Sequence, residues 1–173
     1  LSYKPEQIIC SNGAKQAVCN AVLSVVNPDD EVIIPAPCWV SYIEMVKLAE
    51  GKSVVIHTGI EQNFKITPAE LEAAITPKTR VLLFNTPSNP TGSVYTKEQL
   101  KVWIDYAKKN NAIIIYDSAY EAFITEKDVP RSIFAVEQIN TVMVKEGTVF
   151  CMPALTSAII ILPQTSFKVS TVG

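Results

Sequence analysis

The chain has 173 residues, of which 48% are hydrophobic and 18% charged, and its formal net charge is −2. This length and apolar content suffice for one domain with buried strands and exclude a disordered, highly charged chain. The sequence has no basic block, so we expect no nucleic-acid binding. Apolar runs such as residues 158–162 are too short to span a bilayer, so we expect no membrane insertion.

Cysteine and histidine usage argues against a metal site, because His57 is the sole histidine and no C-x-x-C pair occurs. The four scattered cysteines are Cys10, Cys19, Cys38 and Cys151. Reduced thiols and a cytoplasmic location are the default expectation. The chain starts at Leu1 without a charged and then apolar leader, so no secretory signal is expected. A start without methionine suggests a fragment or a processed piece.

Strand-like apolar runs alternate with helix-like periodic segments, which is the pattern of βαβ units. The predicted strands are residues 7–10, 31–34, 53–57, 80–84, 112–116, 141–144 and 156–162. The predicted helices follow the turn at residues 11–15, span residues 41–50, start at Thr67 and span residues 96–110. No internal repeat or Gly/Ser linker divides the chain. We therefore predict one α/β domain over residues 1–173, with helices on both faces of a mostly parallel sheet.

Capping residues mark the predicted helix ends. Thr67, Pro68 and Glu70 suit N-cap, N1 and N3 of one helix, and Gly51 follows another as a C-cap residue would. Apolar spacing predicts the buried positions of the four helices in turn: Ala17, Val18, Ala21, Val22 and Val25; Ile43, Val46 and Leu48; Leu71, Ala74 and Ile75; and Leu100, Trp103, Ile104 and Ala107.

Asp117 directly follows the strand at residues 112–116, which is apolar or aromatic throughout. Such a run is typical of a strand buried on both faces of a parallel sheet, and ligands of open α/β sheets lie outside the carboxyl ends of strands. A carboxylate removed from water there needs a cation or hydrogen bonds. Two interpretations stay open: Asp117 pairs with a cation of a ligand, or it caps the next helix.

Two other turns follow strands and carry suitable groups. Gly13, Ala14 and Lys15 open a helix with small side chains, so its first N–H groups are open to a phosphate. An ordinary strand-to-helix turn is the alternative. Trp39 follows the stiff segment at residues 35–37, which would aim its indole at a planar ring. A core tryptophan is the alternative.

A polar loop at residues 85–92, NTPSNPTG, also follows a strand. Pro90 favours an extended Asn89, so that the amide presents a donor at a fixed point, although these residue types are common in any turn. Asp117 and Tyr120 share a face if they lie on the first turn of a helix. Together, these groups suit a pyridine ring that carries a phosphate and a phenolic oxygen, because a carboxylate keeps the ring nitrogen protonated.

Four segments carry a family resemblance: SNGAKQA at 11–17, DEVIIPAPCWVSYIEMVKLAEG at 30–51, FKITPAELEAAITPKTRVLLFNTPSNPTG at 64–92 and IIIYDSAYEAF at 113–123. They resemble the large domain of the fold-type I, pyridoxal-phosphate-dependent class I aminotransferases. The first half is most similar to bacterial aspartate aminotransferases, whereas residues 116–134 are more similar to the LL-diaminopimelate aminotransferase branch. The resemblance covers roughly residues 1–134.

The resemblance implies a three-layer αβα fold, the cofactor pyridoxal 5′-phosphate and amino-group transfer between an amino acid, aspartate-like or other, and a 2-oxo acid. It also implies a homodimer. The implied roles are phosphate binding by Gly13, Ala14 and Lys15, ring stacking by Trp39, hydrogen bonds to the ring oxygen from Asn89 and Tyr120, and pairing of Asp117 with the ring nitrogen. Cys38 replaces the family's usual aromatic residue, and we expect little consequence.

The last part of the chain departs from this family. The family carries its Schiff-base lysine in a Ser-x-Ser-Lys loop, which would lie between the last two predicted strands. In this chain the loop lacks that motif. The segment after it also lacks an arginine that the family would have there. Lys145 is the only lysine in the interval. By comparison with this family we expect residues 141–173 to be atypical and the given chain to be a partial large domain without the family's small C-terminal domain, and the catalytic residue is unassigned.

Two hypotheses stay open: an aminotransferase seen as a partial or altered chain, and a non-catalytic module that binds the cofactor without a covalent bond or binds none. A nucleotide-binding Rossmann domain is disfavoured because no G-x-G-x-x-G follows a strand.

Overall fold

The computed structural model describes residues 8–125, 127, 129, 130, 133 and 136, and the backbone of residues 141–147 and 157–161. The strands are β1 (Ile8–Ser11), β2 (Glu31–Ala36), β3 (Lys52–His57), β4 (Thr79–Asn85), β5 (Ile113–Asp117), β6 (Thr141–Gly147) and β7 (Ser157–Ile161). The α-helices are α1 (Gly13–Val25), α2 (Ser41–Leu48), α3 (Pro68–Ala74) and α4 (Lys97–Lys109). Short 3₁₀ helices occupy Ile60–Gln62 and Glu121–Phe123.

The strands form one sheet in the order β1-β7-β6-β5-β4-β2-β3. Pairing is parallel from β3 through β2, β4 and β5 to β6, and β7 is antiparallel to both of its neighbours. Parallel neighbours need a crossover connection, and α2, α3 and α4 provide crossovers of this kind. The predicted α/β fold with a mostly parallel sheet is confirmed.

Helices cover both faces of the sheet, which confirms the three-layer arrangement. Ile115 packs with residues of α1 and α2 on one face, whereas Ile114 and Tyr116 pack with residues of α3 and α4 on the other. This alternation is the period of two of a strand that is buried on both faces. It explains why residues 112–116 contain no polar position.

The predicted buried faces of α1 and α4 are confirmed at every position. In α3, Leu71 is buried and Ala74 and Ile75 pack partly buried against the core, as predicted. The capping box of Thr67 and Glu70 is also present. Among these residues no helix has the length and apolar character needed to cross a membrane.

The predicted face of α2 is wrong at two of three positions. Leu48 is 64% exposed and Ile43 is 36% exposed, while Val46 is buried as expected. The buried stripe is Tyr42, Met45, Val46 and Ala49, which has the i, i+3, i+4, i+7 spacing of a helix face. The stripe was missed because its first member is a tyrosine, which carries a polar group.

The predicted C-cap role of Gly51 belongs to its neighbour. Glu50 has a φ of 59°, and its N–H donates to the Lys47 carbonyl at 3.0 Å while the Gly51 N–H donates to the Val46 carbonyl at 3.0 Å. This is the Schellman pattern with Glu50 at the left-handed position. Gly51 is needed instead for close packing, because a Cβ there would lie 2.6 Å from a methyl carbon of Val26.

We expect Gly51→Ala to lower the free energy of unfolding by about 1–3 kcal/mol, the usual cost of overpacking a core. Glu50→Gly is the control with the opposite sign: it should raise the free energy by up to about 1 kcal/mol, because it relieves a left-handed non-glycine residue. Urea unfolding followed by circular dichroism measures both. An unchanged Gly51→Ala would contradict the packing role of the glycine, and a destabilised Glu50→Gly would contradict the left-handed cap at Glu50.

Met45→Ala should lower the free energy of unfolding by about 2–4 kcal/mol, since Met45 is buried against α1 and the sheet. Leu48→Ala should change it by less than about 0.5 kcal/mol, since Leu48 is largely exposed. The same unfolding measurement compares the two variants. Equal losses would contradict the observed orientation of α2.

Candidate functional site

The site forms where β4 and β5 end side by side. Asn85 and Asp117 are the last residues of these strands and are paired in register. The Asn85 Nδ2 donates to the Asp117 carbonyl oxygen at 2.9 Å, and the Thr86 N–H donates to the same oxygen at 3.0 Å. The paired register of β2 with β4 ends earlier, at Ile33 and Leu82. The sheet therefore opens at this edge, as expected for a crevice outside the carboxyl ends of strands.

Asp117 is 3% exposed, and both of its carboxylate oxygens accept hydrogen bonds. Oδ1 accepts from the Ala119 N–H at 3.0 Å, and Oδ2 accepts from the Tyr42 hydroxyl at 2.7 Å. The first bond resembles a helix cap, but a turn and the 3₁₀ helix Glu121–Phe123 follow rather than an α-helix. The capping alternative thus accounts for one oxygen only, and the predicted helical turn from Asp117 to Tyr120 is wrong.

Tyr42 brings α2 to the carboxylate. It is the second residue of α2 and is 1% exposed. Burial, and then the charge and hydrogen bond of Asp117, raise the pKa of the Tyr42 hydroxyl well above its usual value. The hydroxyl therefore stays protonated and acts as a donor.

Trp39 lies against Tyr42 in the same turn. The two rings meet edge to face, with centroids 5.3 Å apart and planes at 86°. The Tyr42 N–H donates to the Trp39 carbonyl oxygen at 3.1 Å, which fixes the backbone between them. On the other side, the Lys15 Nζ lies 5.3 Å from the centroid of the Trp39 ring. Trp39 is half-buried and packs against the core cluster that includes residues of α1 and α2, so the alternative of a core tryptophan holds in part.

A cavity of about 180 Å³ brings most of the predicted residues together. It is lined by Ala14, Lys15, Trp39, Tyr42, Asn85, Asn89, Asp117, Ala119 and Tyr120. Six of the seven residues predicted to bind a cofactor are in this set, and the seventh, Gly13, lies next to it as the first residue of α1. Residues of four separate turns therefore share one hollow.

The polar loop after β4 reaches this cavity through Asn89. Its Nδ2 lies 3.5 Å from the Tyr120 hydroxyl, so the amide and the phenol converge. Its N–H donates to the Asn85 Oδ1 at 2.6 Å, which ties the loop back to the end of β4. Asn85 thus holds both the Asn89 backbone and the end of β5.

The start of α1 leaves backbone donors at the cavity. Gly13 has a φ of 83°, a conformation that favours glycine. The Asn12 side chain makes no capping hydrogen bond, and the Gln16 Oε1 accepts from the Asn12 N–H instead. The first N–H groups of a helix have no partner within it, so those of Gly13, Ala14 and Lys15 can bind an anion.

Three lining residues are not among the predicted site residues: Tyr42, Asn85 and Ala119. Asn85 had a detectable signal, because it is a polar residue at the end of a buried strand beside Asp117. Ala119 contributes through its N–H, which no side-chain pattern reports. Tyr42 lies 75 positions from Asp117 in the sequence, and only the packing of α2 brings them together.

Lys145 lies inside β6 rather than in a loop after it, because the strand continues to Gly147. In the register, Val144 pairs with Asp117, and Lys145 pairs with Ile159 of β7. The remainder of the predicted loop, residues 148–155, falls outside the part of the chain that the structure describes.

Similar proteins of known sequence are aminotransferases. The chain is 50% identical over 129 residues to an aspartate/prephenate aminotransferase of Nitrosomonas europaea, covering 74% of this chain and 32% of that protein. It is 48% identical over 124 residues to an aspartate aminotransferase of Bacillus sp. strain YM-2, covering 72% and 32%. The chain therefore spans about a third of the length of these curated relatives.

Solved structures agree with this similarity. A mutant aspartate aminotransferase of Thermus thermophilus superimposes with a TM-score of 0.86 at 35% identity, covering 94% of this chain and 43% of that one. An aromatic aminotransferase of Pyrococcus horikoshii gives 0.85 at 33% identity, with the same coverage. The sequence model of the family "aminotransferase class I and II" matches residues 1–158. The chain thus belongs to the class I and II aminotransferases, of fold type I.

Proposed function

We propose that the cavity binds pyridoxal 5′-phosphate, and that the chain is part of an enzyme that transfers an amino group between an amino acid and a 2-oxo acid. The observation that carries this proposal is the convergence of a buried carboxylate, an indole, an amide and a phenol beside the start of α1. Each of these groups matches one part of the cofactor. The relatives are named for amino-group transfer, which supports the same activity.

The chemistry of the donor set fits this cofactor. The N–H groups at the start of α1 and the Lys15 ammonium suit the phosphate. The indole of Trp39 suits the flat face of the ring, and the Asn89 amide and Tyr120 phenol suit the ring oxygen. The Asp117 carboxylate suits a protonated ring nitrogen. The volume is below the roughly 300–1,000 Å³ of typical small-molecule pockets, so this chain would enclose the cofactor only in part.

When bound, the cofactor supplies an electron sink for bonds at the amino acid carbon. The chain's own residues prepare that sink. Asp117 holds a proton on the ring nitrogen, Trp39 orients the ring, and Lys15 with the α1 backbone anchors the phosphate. Asn89 and Tyr120 fix the ring oxygen by hydrogen bonds.

A second function, non-covalent binding without transfer, is favoured by one observation: Lys145 lies within a strand and the Ser-x-Ser-Lys motif is absent. Lys15 is the lysine among the described residues that line the cavity, and its proposed partner is the phosphate. A catalytic lysine must reach the reacting atom, so the position of the amine decides between the two functions.

The remaining parts of the proposal rest on the family and on composition. An amino acid, aspartate-like or other, and a 2-oxo acid would be the substrates, and the enzyme would act as a homodimer. Residues 1–173 would be part of the large domain. Cys10, Cys19 and Cys38 are free thiols, which supports a reducing cytoplasmic location.

Asp117→Asn should weaken binding of pyridoxal phosphate by about 100-fold, because removing one partner of a buried charge pair costs about 3–5 kcal/mol, of which we expect most to appear in binding. Asp105→Asn is the matched control, since Asp105 is an exposed carboxylate of α4 paired with Lys101. Equilibrium titration followed by cofactor absorbance measures both affinities. Unchanged affinity in Asp117→Asn would refute the assignment of this carboxylate.

Borohydride reduction of the protein with pyridoxal phosphate separates the two functions. If the chain acts in transfer through Lys145, tryptic mass spectrometry should place the covalent label on the Lys145 peptide, and Lys145→Ala should abolish it. If the chain only binds, saturable binding should occur without any label. A label on Lys15 would contradict its role at the phosphate.

A further inference from the structure

Tyr42 makes a contact that none of the expected roles includes. Its hydroxyl donates to the Asp117 Oδ2 at 2.7 Å, and both residues are almost fully buried. It also lines the cavity, and its ring packs edge to face with Trp39. One side chain of α2 therefore contacts both the carboxylate and the indole.

We propose that Tyr42 is a positioning residue that holds the Asp117 carboxylate anionic and correctly aimed at the ring nitrogen of the cofactor. This inference rests on the proposed cofactor. The Asp117 Oδ1 accepts from the Ala119 N–H, and its Oδ2 accepts from the Tyr42 hydroxyl. Donors on different oxygens together fix the plane of a carboxylate.

A phenol suits this task better than a cationic side chain. A lysine or arginine at this position would neutralise Asp117 and compete with the ring nitrogen for it. A neutral donor stabilises the ionised carboxylate by a hydrogen bond and leaves its charge in place. The raised pKa of Tyr42 means that the phenol keeps the proton it donates.

Tyr42 also couples the carboxylate to the stacking indole. The backbone bond from Tyr42 to Trp39 and the contact of their rings make residues 39–42 one rigid unit. A ring held by Trp39 is thereby placed relative to the carboxylate held by Tyr42. Positioning of this kind adds affinity only for a ligand that has a group opposite Asp117.

The alternative is that Tyr42 merely fills the core, and Tyr95 provides the matched control. Tyr95 is 3% exposed, and its hydroxyl has no hydrogen-bond partner. Tyr95→Phe thus removes a buried hydroxyl from the core cluster that packs with α3 and α4 on the other face of the sheet, while Tyr42→Phe removes the hydroxyl that contacts the carboxylate. Both variants keep the ring and the packing, and thermal unfolding checks that each is folded.

The test compares two probes on the full chain. One is pyridoxal phosphate, and the other is its carba analogue, in which a carbon replaces the ring nitrogen. Tyr42→Phe should weaken the binding of pyridoxal phosphate by about tenfold, which is the usual effect of deleting a hydrogen bond to a charged group. The affinity for the carba analogue should stay within about twofold of that of the unaltered chain. Tyr95→Phe should leave both affinities unchanged. In the Asp117→Asn background, Tyr42→Phe should have no further effect on pyridoxal phosphate binding.

The possible outcomes separate this inference from the proposed function. If the unaltered chain binds no pyridoxal phosphate, the proposed function fails and the role of Tyr42 fails with it. If the unaltered chain binds pyridoxal phosphate but Tyr42→Phe binds it equally well, the role of Tyr42 is overturned while the proposed function stands. The same holds if Tyr42→Phe weakens the binding of both probes by the same factor. If Tyr42→Phe is too unstable to assay, the two probes on Tyr42→Met, whose flexible apolar side chain adapts to the core and carries no hydroxyl, decide between the same results.

Discussion

The structure of the site depends on one buried carboxylate. Asp117 lies at the end of a strand that is apolar on both faces, where an ionised group without partners would be very costly. The surrounding chain meets that cost with a backbone N–H and a buried phenol. Because those donors come from the turn after β5 and from α2, the position of α2 against the sheet is part of the site.

The sheet topology explains why this point is open to a ligand. β4 and β5 stay paired up to Asn85 and Asp117, while the β2–β4 register ends at Ile33. Beyond that level β2 runs on beside β3 through Pro35, a residue that cannot donate to a ladder. The turn that follows then carries Trp39 and Tyr42 over the gap. The fold and the site thus have a common origin in where the strands stop pairing.

Much of this arrangement is predictable from the sequence, for identifiable reasons. The succession of strands and helices along the chain and the buried faces of α1 and α4 follow from hydrophobic periodicity, because long amphipathic segments show directly which side is buried. The convergence of Trp39, Asn89, Asp117 and Tyr120 on one edge follows from the rule that strand ends meet there. Their roles toward a cofactor remain proposals, since geometry shows nearness and not binding.

Other features lie beyond sequence patterns for physical reasons. Helix α2 is short and has too few turns for hydrophobic periodicity to define its buried face. The first residue of that face is a tyrosine, whose hydroxyl suggests an exposed position. Glu50 takes the left-handed conformation at the end of α2, and the adjacent Gly51 lies so close to Val26 and Val46 that a Cβ has no room there, which is a tertiary effect. The bond from Tyr42 to Asp117 links residues 75 positions apart. The apolar run at residues 141–144 predicts a strand that ends before Lys145, whereas β6 continues through polar residues to Gly147.

The placement of these groups separates holding a cofactor from reacting with it. The residues proposed to grip the phosphate, the ring and its nitrogen lie between Gly13 and Tyr120, and each acts by a hydrogen bond, a charge or a stacked face. A covalent step would need an amine placed from elsewhere, and in this chain β6 carries Lys145 at a register position beside the end of β5. Non-covalent binding of the cofactor and the covalent step are thus separable properties. On the proposed assignment, a chain of this fold could retain the first without the second, because the energy of the first would come from Asp117 and its neighbours.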